Sequence, residues 1–123
     1  MEYRVCRNNP APYNDLNGKI SLLGLGTMRL PLRDAADQTS IDEEKAQEIF
    51  DYAYAHGVNY FDTAYPYHGG MSEKFCGKAL AKYPRASYHL ASKLPGWMLK
   101  CDEDVPRIFN EQLANCRTDY FDF

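Results

Sequence analysis

The sequence predicts an α/β fold built on a parallel sheet, and three observations predict it. Short apolar runs suited to buried strands alternate with segments of helical periodicity along most of the 123 residues. The connections between them are short, which favours parallel strands joined by right-handed helical crossovers. Polar residues recur at the C-terminal ends of the runs, where chemistry collects in parallel α/β folds. The order is a hairpin followed by β-α-β-α-β-α-β, with no long-period repeat, low-complexity tract or domain linker.

Residues 1–5 alternate loosely and suit a strand. The stretch 8–15, rich in Asn, Pro and Asp, is loop chemistry. Asn17-Gly18 is a hairpin turn signal, so residues 19–21 are expected to pair back with the first segment. Leu22 to Met28 is the first run expected to be buried on both faces, and Gly24 and Gly26 suggest close backbone approach to a neighbour. Pro31 ends the run, and 33–39 is a polar loop. A helix follows, capped by Ser40 or Asp42, with Asp42, Glu43 and Glu44 in its first turn. Its stripe is Ala46, Ile49, Phe50, Ala53 and Tyr54. His56 supplies a charge at the helix C-terminus, and Gly57, free to take φ > 0, stops the helix.

Val58 to Phe61 is β-branched and aromatic, as a buried strand requires, and it delivers Asp62 at its C-terminal end. After the loop to Tyr67, His68-Gly69-Gly70 is expected to be a flexible hinge. Ser72 is the expected N-cap of a second helix over 73–82, with Phe75, Cys76, Ala79 and Leu80 as its apolar face. Pro84 punctuates the chain. Residues 88–92 form a third strand, ending in Lys93 and then Leu94-Pro95-Gly96. A third helix runs over 105–116 on Val105, Ile108, Phe109, Leu113 and Cys116, with Pro106 early enough to be tolerated. Residues 119–123 begin a fourth strand, and the chain stops inside it.

Composition bounds the function. At 45% hydrophobic and 25% charged, the chain is an ordinary globular one with length for one domain and a real core. A formal charge of −3 argues against a nucleic-acid or anionic-membrane surface. No window approaches the roughly 20 apolar residues of a transmembrane helix, and no apolar segment follows the N-terminus as in a signal peptide, so the cytoplasm is expected. Cysteines at 6, 76, 101 and 116 include no close pair, so reduced thiols are expected rather than a metal site.

A doubly wound sheet can close with four strands in this length, whereas a (β/α)8 barrel takes about 250 residues. An apolar strand that runs to Phe123 without turn, cap or polar tail is expected to be interrupted. Four barrel strands would expose two open edges, through which copies of the chain could self-associate.

Asp62, Tyr67 and Lys93 fall at or just beyond successive strand ends, beside the end of the 22–28 run. A lysine at the end of a buried strand needs a counter-ion, and Asp62 is the expected one. A cation held beside a tyrosine stabilises phenolate and makes the phenol a usable proton donor. Singly, each residue has a plainer reading: Asp62 as a cap, Tyr67 as one of ten tyrosines in packing, Lys93 snorkelling to water. His68 is expected to be solvated rather than a base. His89 is either packed or outward-facing, and Trp97 either lines a pocket or covers the sheet end.

These residues carry a resemblance. Gly57 to Tyr67, followed by Gly70-Met71-Ser72-Glu73, resembles the signature of the aldo-keto reductase family: a glycine, a strand, Asp-Thr-Ala, two residues, Tyr and an acidic helix start. Ala91-Ser92-Lys93-Leu94-Pro95 resembles its lysine-bearing third strand, Leu23 to Pro31 its first strand, and Gln112 to Phe123 the helix and strand leading to its catalytic histidine. The resemblance implies the N-terminal half of a (β/α)8 barrel, a partial domain over 1–123 that breaks off in the fourth barrel strand. It implies NADPH-dependent reduction of the carbonyl of a small aldehyde or ketone. Tyr67 matches the general acid, Lys93 the residue that tunes it, and Asp62 the partner of that lysine. Gly26, Thr27 and Met28, with Asp62, match the segment near the nicotinamide. The family's histidine and phosphate-binding loops lie beyond the matched residues. The chain by itself is therefore expected to be inactive, the alternative being a non-catalytic half-barrel that self-associates or needs a complementary half. Residues 92–123 further resemble a bacterial branch that often carries a C-terminal ferredoxin-like cysteine cluster. No such cluster occurs in this sequence, and no iron–sulfur centre is expected. In a barrel of this type the substrate pocket is shaped by loops, and the later ones lie beyond the matched residues.

Overall fold

The computed structural model describes residues 1–5 and 19–123. The expected loop at 8–15, the Asn17-Gly18 turn and Cys6 lie outside the described residues. Strand β1 (Tyr3–Val5) pairs antiparallel with β2 (Lys19–Ser21), Tyr3 opposite Ser21, so the hairpin forms as its pattern predicts. A separate parallel sheet holds β3 (Leu25–Gly26), β4 (Tyr60–Asp62) and β5 (His89–Ala91) in chain order, with Gly26, Asp62 and Ala91 level across it. Helices α1 (Glu43–Ala55), α2 (Met71–Leu80) and α3 (Asp104–Cys116) fill the connections.

Aromatic packing joins helices to sheet. Phe50 of α1 stacks on Phe61 of β4 at 5.3 Å between ring centroids, and Phe75 of α2 meets Phe50 edge-on at 5.4 Å. Ala46, Ala79, Leu80 and Leu90 complete this buried cluster. Gly77 lets α2 lie against the end of α3, because a Cβ there would stand 2.6 Å from the Asn115 carbonyl oxygen. Asp42 caps α1 by accepting the Lys45 N–H at 3.3 Å, and Gly57 leaves the helix at φ 87°.

The hairpin sits at the N-terminal end of the parallel sheet. Asn59, just before β4, accepts the Ser21 N–H at 2.8 Å and donates to the Lys19 carbonyl at 3.1 Å. His89 is fully buried, which decides between its two expected placements, and its Nε2 lies 3.0 Å from the same carbonyl.

Several expectations need correction. The 22–28 run is a strand only over Leu25–Gly26, and Leu22 and Leu23 are exposed. Leu22 still follows β2, its N–H donating to Glu2 at 2.9 Å, and the Ser21 hydroxyl donates to the Leu23 carbonyl at 2.7 Å. The chain thus turns between the two sheets where the apolar run suggested one strand. Gly24 does make the close approach, since a Cβ would meet the Tyr60 ring at 2.9 Å, but Gly26 faces open space. On α1, Ile49 is exposed although Ala46 and Phe50 are buried. On α3 the buried face is Ile108, Gln112 and Cys116, while Val105 and Phe109 are exposed. Helix α2 starts earlier than expected, at Met71 after a left-handed Gly70, and Ser72 makes no cap hydrogen bond. Residues 119–123 run beside β5, with the Asp122 N–H donating to Leu90 at 3.0 Å and the Ser92 N–H to Phe123 at 3.3 Å. They do not form a regular strand: the Leu90 N–H is taken at 2.8 Å by the Asp122 carboxylate, which displaces a backbone partner.

Candidate active site

The C-terminal end of the parallel sheet brings Asp62, Tyr67 and Lys93 together. Asp62 is the last residue of β4, Lys93 lies just beyond β5, and Tyr67 opens a short 3-10 turn over Tyr67–Gly70. Lys93 Nζ donates to Asp62 Oδ1 at 2.5 Å and to the Thr63 carbonyl at 2.9 Å. The same ammonium lies 4.9 Å from the centroid of the Tyr67 ring, within cation–π range. Half of the Lys93 side chain is still exposed, so the charge sits at an open mouth. Burial disfavours the Lys93 cation, but the hydrogen bond to Asp62 and its charge, with Tyr67 beside the ammonium, outweigh it and hold the lysine above its ordinary value.

Beneath these groups lies a buried polar layer that periodicity did not disclose. Thr27, Thr63 and Ser72 are fully buried, and the Ser72 hydroxyl lies 2.8 Å from that of Thr27 and 2.9 Å from that of Thr63. Thr27 also donates from its N–H and its hydroxyl to the Asp62 carbonyl, at 2.9 and 3.0 Å. Three elements are thereby locked around the backbone of Asp62. Glu73, also fully buried, accepts from the Ser92 hydroxyl at 2.6 Å, from Gln112 at 2.9 Å and from Asn115 at 3.1 Å. Gln112 donates as well to the Lys93 carbonyl at 3.1 Å, so the backbone of the lysine is braced from α3. A buried carboxylate needs such donors. The one signal in the sequence was Gln112, a polar residue at four-residue spacing from Ile108 and Cys116 on the buried face.

Of the expected cofactor segment, Gly26 and Met28 are exposed at the same end of the sheet. Thr27 turns inward and spends its hydroxyl on Asp62 and Ser72. His68 overturns its expectation: it is buried, with Nε2 3.1 Å from the Leu30 N–H and Nδ1 2.9 Å from the Gln38 carbonyl. A cleft of about 530 Å³ beside α2 and α3, lined by Tyr65, Lys74, Met98 and Glu111 among others, includes neither Tyr67 nor Lys93. Among the described residues no cluster of three or more His, Cys, Asp or Glu could hold a metal ion, and no helix is long and apolar enough to cross a membrane.

Comparison with known proteins identifies the family and the fold. The family model described as aldo/keto reductase family matches residues 22–123. An L-galactose dehydrogenase of Arabidopsis thaliana is 34% identical over 110 residues, which cover 85% of this chain and 33% of that protein. The holo aldo-keto reductase of Bacillus halodurans is 30% identical with a TM-score of 0.71, covering 98% of this chain and 38% of its own. An aldo/keto reductase of Klebsiella pneumoniae in complex with NADP and acetate is 26% identical with a TM-score of 0.66, covering 85% of this chain and 34% of its own. The chain therefore spans less than half the length of each of these relatives. Its hairpin, three parallel strands and intervening helices correspond to the N-terminal half of a (β/α)8 barrel. With a family match over most of its length and a fold shared with solved members, this chain belongs to the aldo/keto reductase family.

Proposed function

We propose that Asp62, Tyr67 and Lys93 form the proton-donating side of an NADPH-dependent carbonyl reductase site. The observation that carries the reading is the Lys93 ammonium held between the Asp62 carboxylate at 2.5 Å and the Tyr67 ring at 4.9 Å. A cation fixed in that position favours developing phenolate charge, so a phenol beside it can release its proton to a carbonyl oxygen. Asp62 keeps the ammonium charged and in place, and the Thr63 carbonyl sets its second direction. The buried hydroxyls of Thr27, Thr63 and Ser72 and the Glu73–Gln112 brace hold both strand ends, which fixes geometry before substrate arrives.

The residues present fit a nicotinamide: Gly26 and Met28 leave an exposed edge level with Asp62, and a Cβ on Gly26 would meet nothing within 4 Å. Bound NADPH would supply the hydride. Gly26, Met28, Asp62 and the Thr27 backbone would hold its nicotinamide end. The substrate class is a small aldehyde or ketone, and the proposed compartment is the cytoplasm, in keeping with free thiols at Cys76, Cys101 and Cys116.

NADPH fluorescence titration, followed by turnover of an aromatic aldehyde, tests the reading in the 123-residue chain. Saturable binding, with turnover lost in Tyr67→Phe and in Lys93→Met, is the supporting result. A second reading, a half-barrel without independent catalysis, is favoured by the chain spanning 38% and 34% of two solved relatives. Absence of NADPH binding, with Tyr67→Phe indistinguishable from the parent, would establish it in place of the first.

A further inference from the structure

The geometry points to His68 as a positioning residue that holds Tyr67 against Lys93. The inference rests on the reading of Tyr67 as the proton donor. His68 follows Tyr67 directly and is 6% exposed. Its backbone is left-handed, at φ 53° and ψ 41°, and opens a run of three left-handed residues with Gly69 and Gly70. Glycine takes that conformation freely, whereas histidine adopts it only against the clash of its Cβ with the backbone. Such a residue persists only where its surroundings hold it.

The ring supplies the hold. The Gln38 carbonyl can only accept, so Nδ1 at 2.9 Å carries the proton. The Leu30 N–H can only donate, so Nε2 at 3.1 Å carries the lone pair. Both nitrogens are committed in one neutral tautomer, and the ring has no lone pair left for use as a base. Leu30 and Gln38 belong to the connection between β3 and α1. That connection is closed on itself, with the Arg33 N–H donating to Ser40 at 2.7 Å and the Asp42 N–H to Pro31 at 2.8 Å. His68 therefore ties the Tyr67 turn to a loop closed between Pro31 and Asp42, and to Leu30 just before it. On its other side Tyr67 is anchored by its own N–H, which donates to Ala64 at 3.2 Å. The Met71 N–H, which donates to the Tyr67 and His68 carbonyls, belongs to α2. With the ring removed, the turn loses its tie to the β3–α1 connection, and the Tyr67 ring is freed from its place 4.9 Å from the Lys93 ammonium, where it helps hold the lysine up.

Nitrogen-detected NMR on the labelled chain tests this without any turnover. The His68 ring should show a protonated Nδ1 and a bare Nε2, and the opposite tautomer would overturn the assignment. The Lys93 ammonium is then titrated in the parent and in Tyr67→Phe, His68→Leu, His68→Gly and His68→Gln. Tyr67→Phe should move the Lys93 midpoint down, and His68→Leu should move it the same way. His68→Gly should do so too, although glycine relieves the left-handed backbone. Glutamine can place Oε1 where Nε2 stood and accept the Leu30 N–H, so His68→Gln should recover part of the shift, and it carries the test if the leucine variant does not fold. Exchange of the Leu30 amide should be roughly tenfold faster in His68→Leu, the loss expected for one buried hydrogen bond. Faster Leu30 exchange with Lys93 unmoved would make His68 a structural residue only and overturn the inference. A His68→Gly chain that matches the parent would also overturn it. If Tyr67→Phe itself leaves Lys93 unmoved, the Tyr67 hydroxyl does not act on Lys93 and the proton-donor reading beneath the inference fails instead.

Discussion

Replacing Asp122 with asparagine should destabilise the chain by an amount that depends on pH in a calculable way. The Asp122 carboxylate accepts the Leu90 N–H at 2.8 Å and the Arg85 guanidinium at 2.7 Å, and lies 3.4 Å from His89 Nδ1. Burial pushes its pKa up, but the hydrogen bonds from His89, Leu90 and Arg85 prevail and bring it from 3.8 to about 2. Its side chain is only 4% exposed, so solvent screening takes little away. At about 1.4 kcal/mol per pKa unit, that displacement corresponds to roughly 2–3 kcal/mol of stability. The folded value lies below the unfolded one. The contribution is therefore complete above about pH 4 and is lost as the pH falls through about 2. Asp122→Asn should lower the free energy of unfolding by roughly 2–3 kcal/mol near neutral pH, since an amide nitrogen or a neutral oxygen now faces Arg85. The gap between variant and parent should close in acid, because the parent loses there what the variant never had. Urea unfolding followed by circular dichroism, repeated from about pH 7 down to about pH 2.5, measures both. A neutral-pH gap below ~0.5 kcal/mol, or one that stays constant into acid, would refute the reasoning.

Four further outcomes follow from the packing and the site. Asp62→Asn should move the Lys93 titration down, because the Asp62 hydrogen bond leads the effects that raise it; NMR of the lysine checks this, and an unmoved midpoint counts against the pairing. Gly77→Ala should lower the melting temperature: alanine gains ~1 kcal/mol of helix propensity, but its Cβ would lie 2.6 Å from backbone atoms of Asn115 and Cys116, an overpacking worth roughly 1–3 kcal/mol or more. A raised melting temperature would mean that α2 and α3 part easily. Phe50→Ala, which removes a fully buried ring in contact with Phe61 and Phe75, should cost roughly 3–5 kcal/mol in denaturant. Burial pushes the Cys76 thiol up to about 11 and raises Cys116 as well, whereas Cys101 is exposed. A disulfide reagent near pH 8 should label Cys101 while sparing the other two until the chain unfolds, and equal labelling read by mass spectrometry would contradict their burial.

The elements that could be read in the sequence were those written in short-range patterns. Gly57 after an apolar helical stripe, then a β-branched and aromatic run, placed β4 and put Asp62 at its end, and the structure keeps that order. Periodicity separates residues facing water from residues facing protein, but it does not say which protein surface a residue meets. Leu22 and Leu23 look like strand core and instead cross exposed between two sheets. Partners of buried polar groups are harder still, because they come from far along the chain. His68 beside two glycines has the composition of a solvated loop, yet its partners are Leu30 and Gln38 in another connection. Ser72 has the position of a helix cap, yet its hydroxyl bonds Thr27 and Thr63 under the site. Gln112 sits on a helix whose apolar residues drew the stripe one way, and the demand of Glu73 for donors turned it another. No pattern marked Asp122, whose carboxylate takes a ladder position from the backbone so that 119–123 stays irregular. These groups share a physical role. Each holds in place a backbone on which Asp62, Tyr67 or Lys93 stands, or the strand beside it. The spacing from Asp62 through Tyr67 to Ser72 and Glu73 then makes sense as one structural unit: Ser72 and Glu73, which follow the left-handed run at 68–70, turn inward and bond Thr27, Thr63 and Ser92 beside the strand ends that carry Asp62 and Lys93.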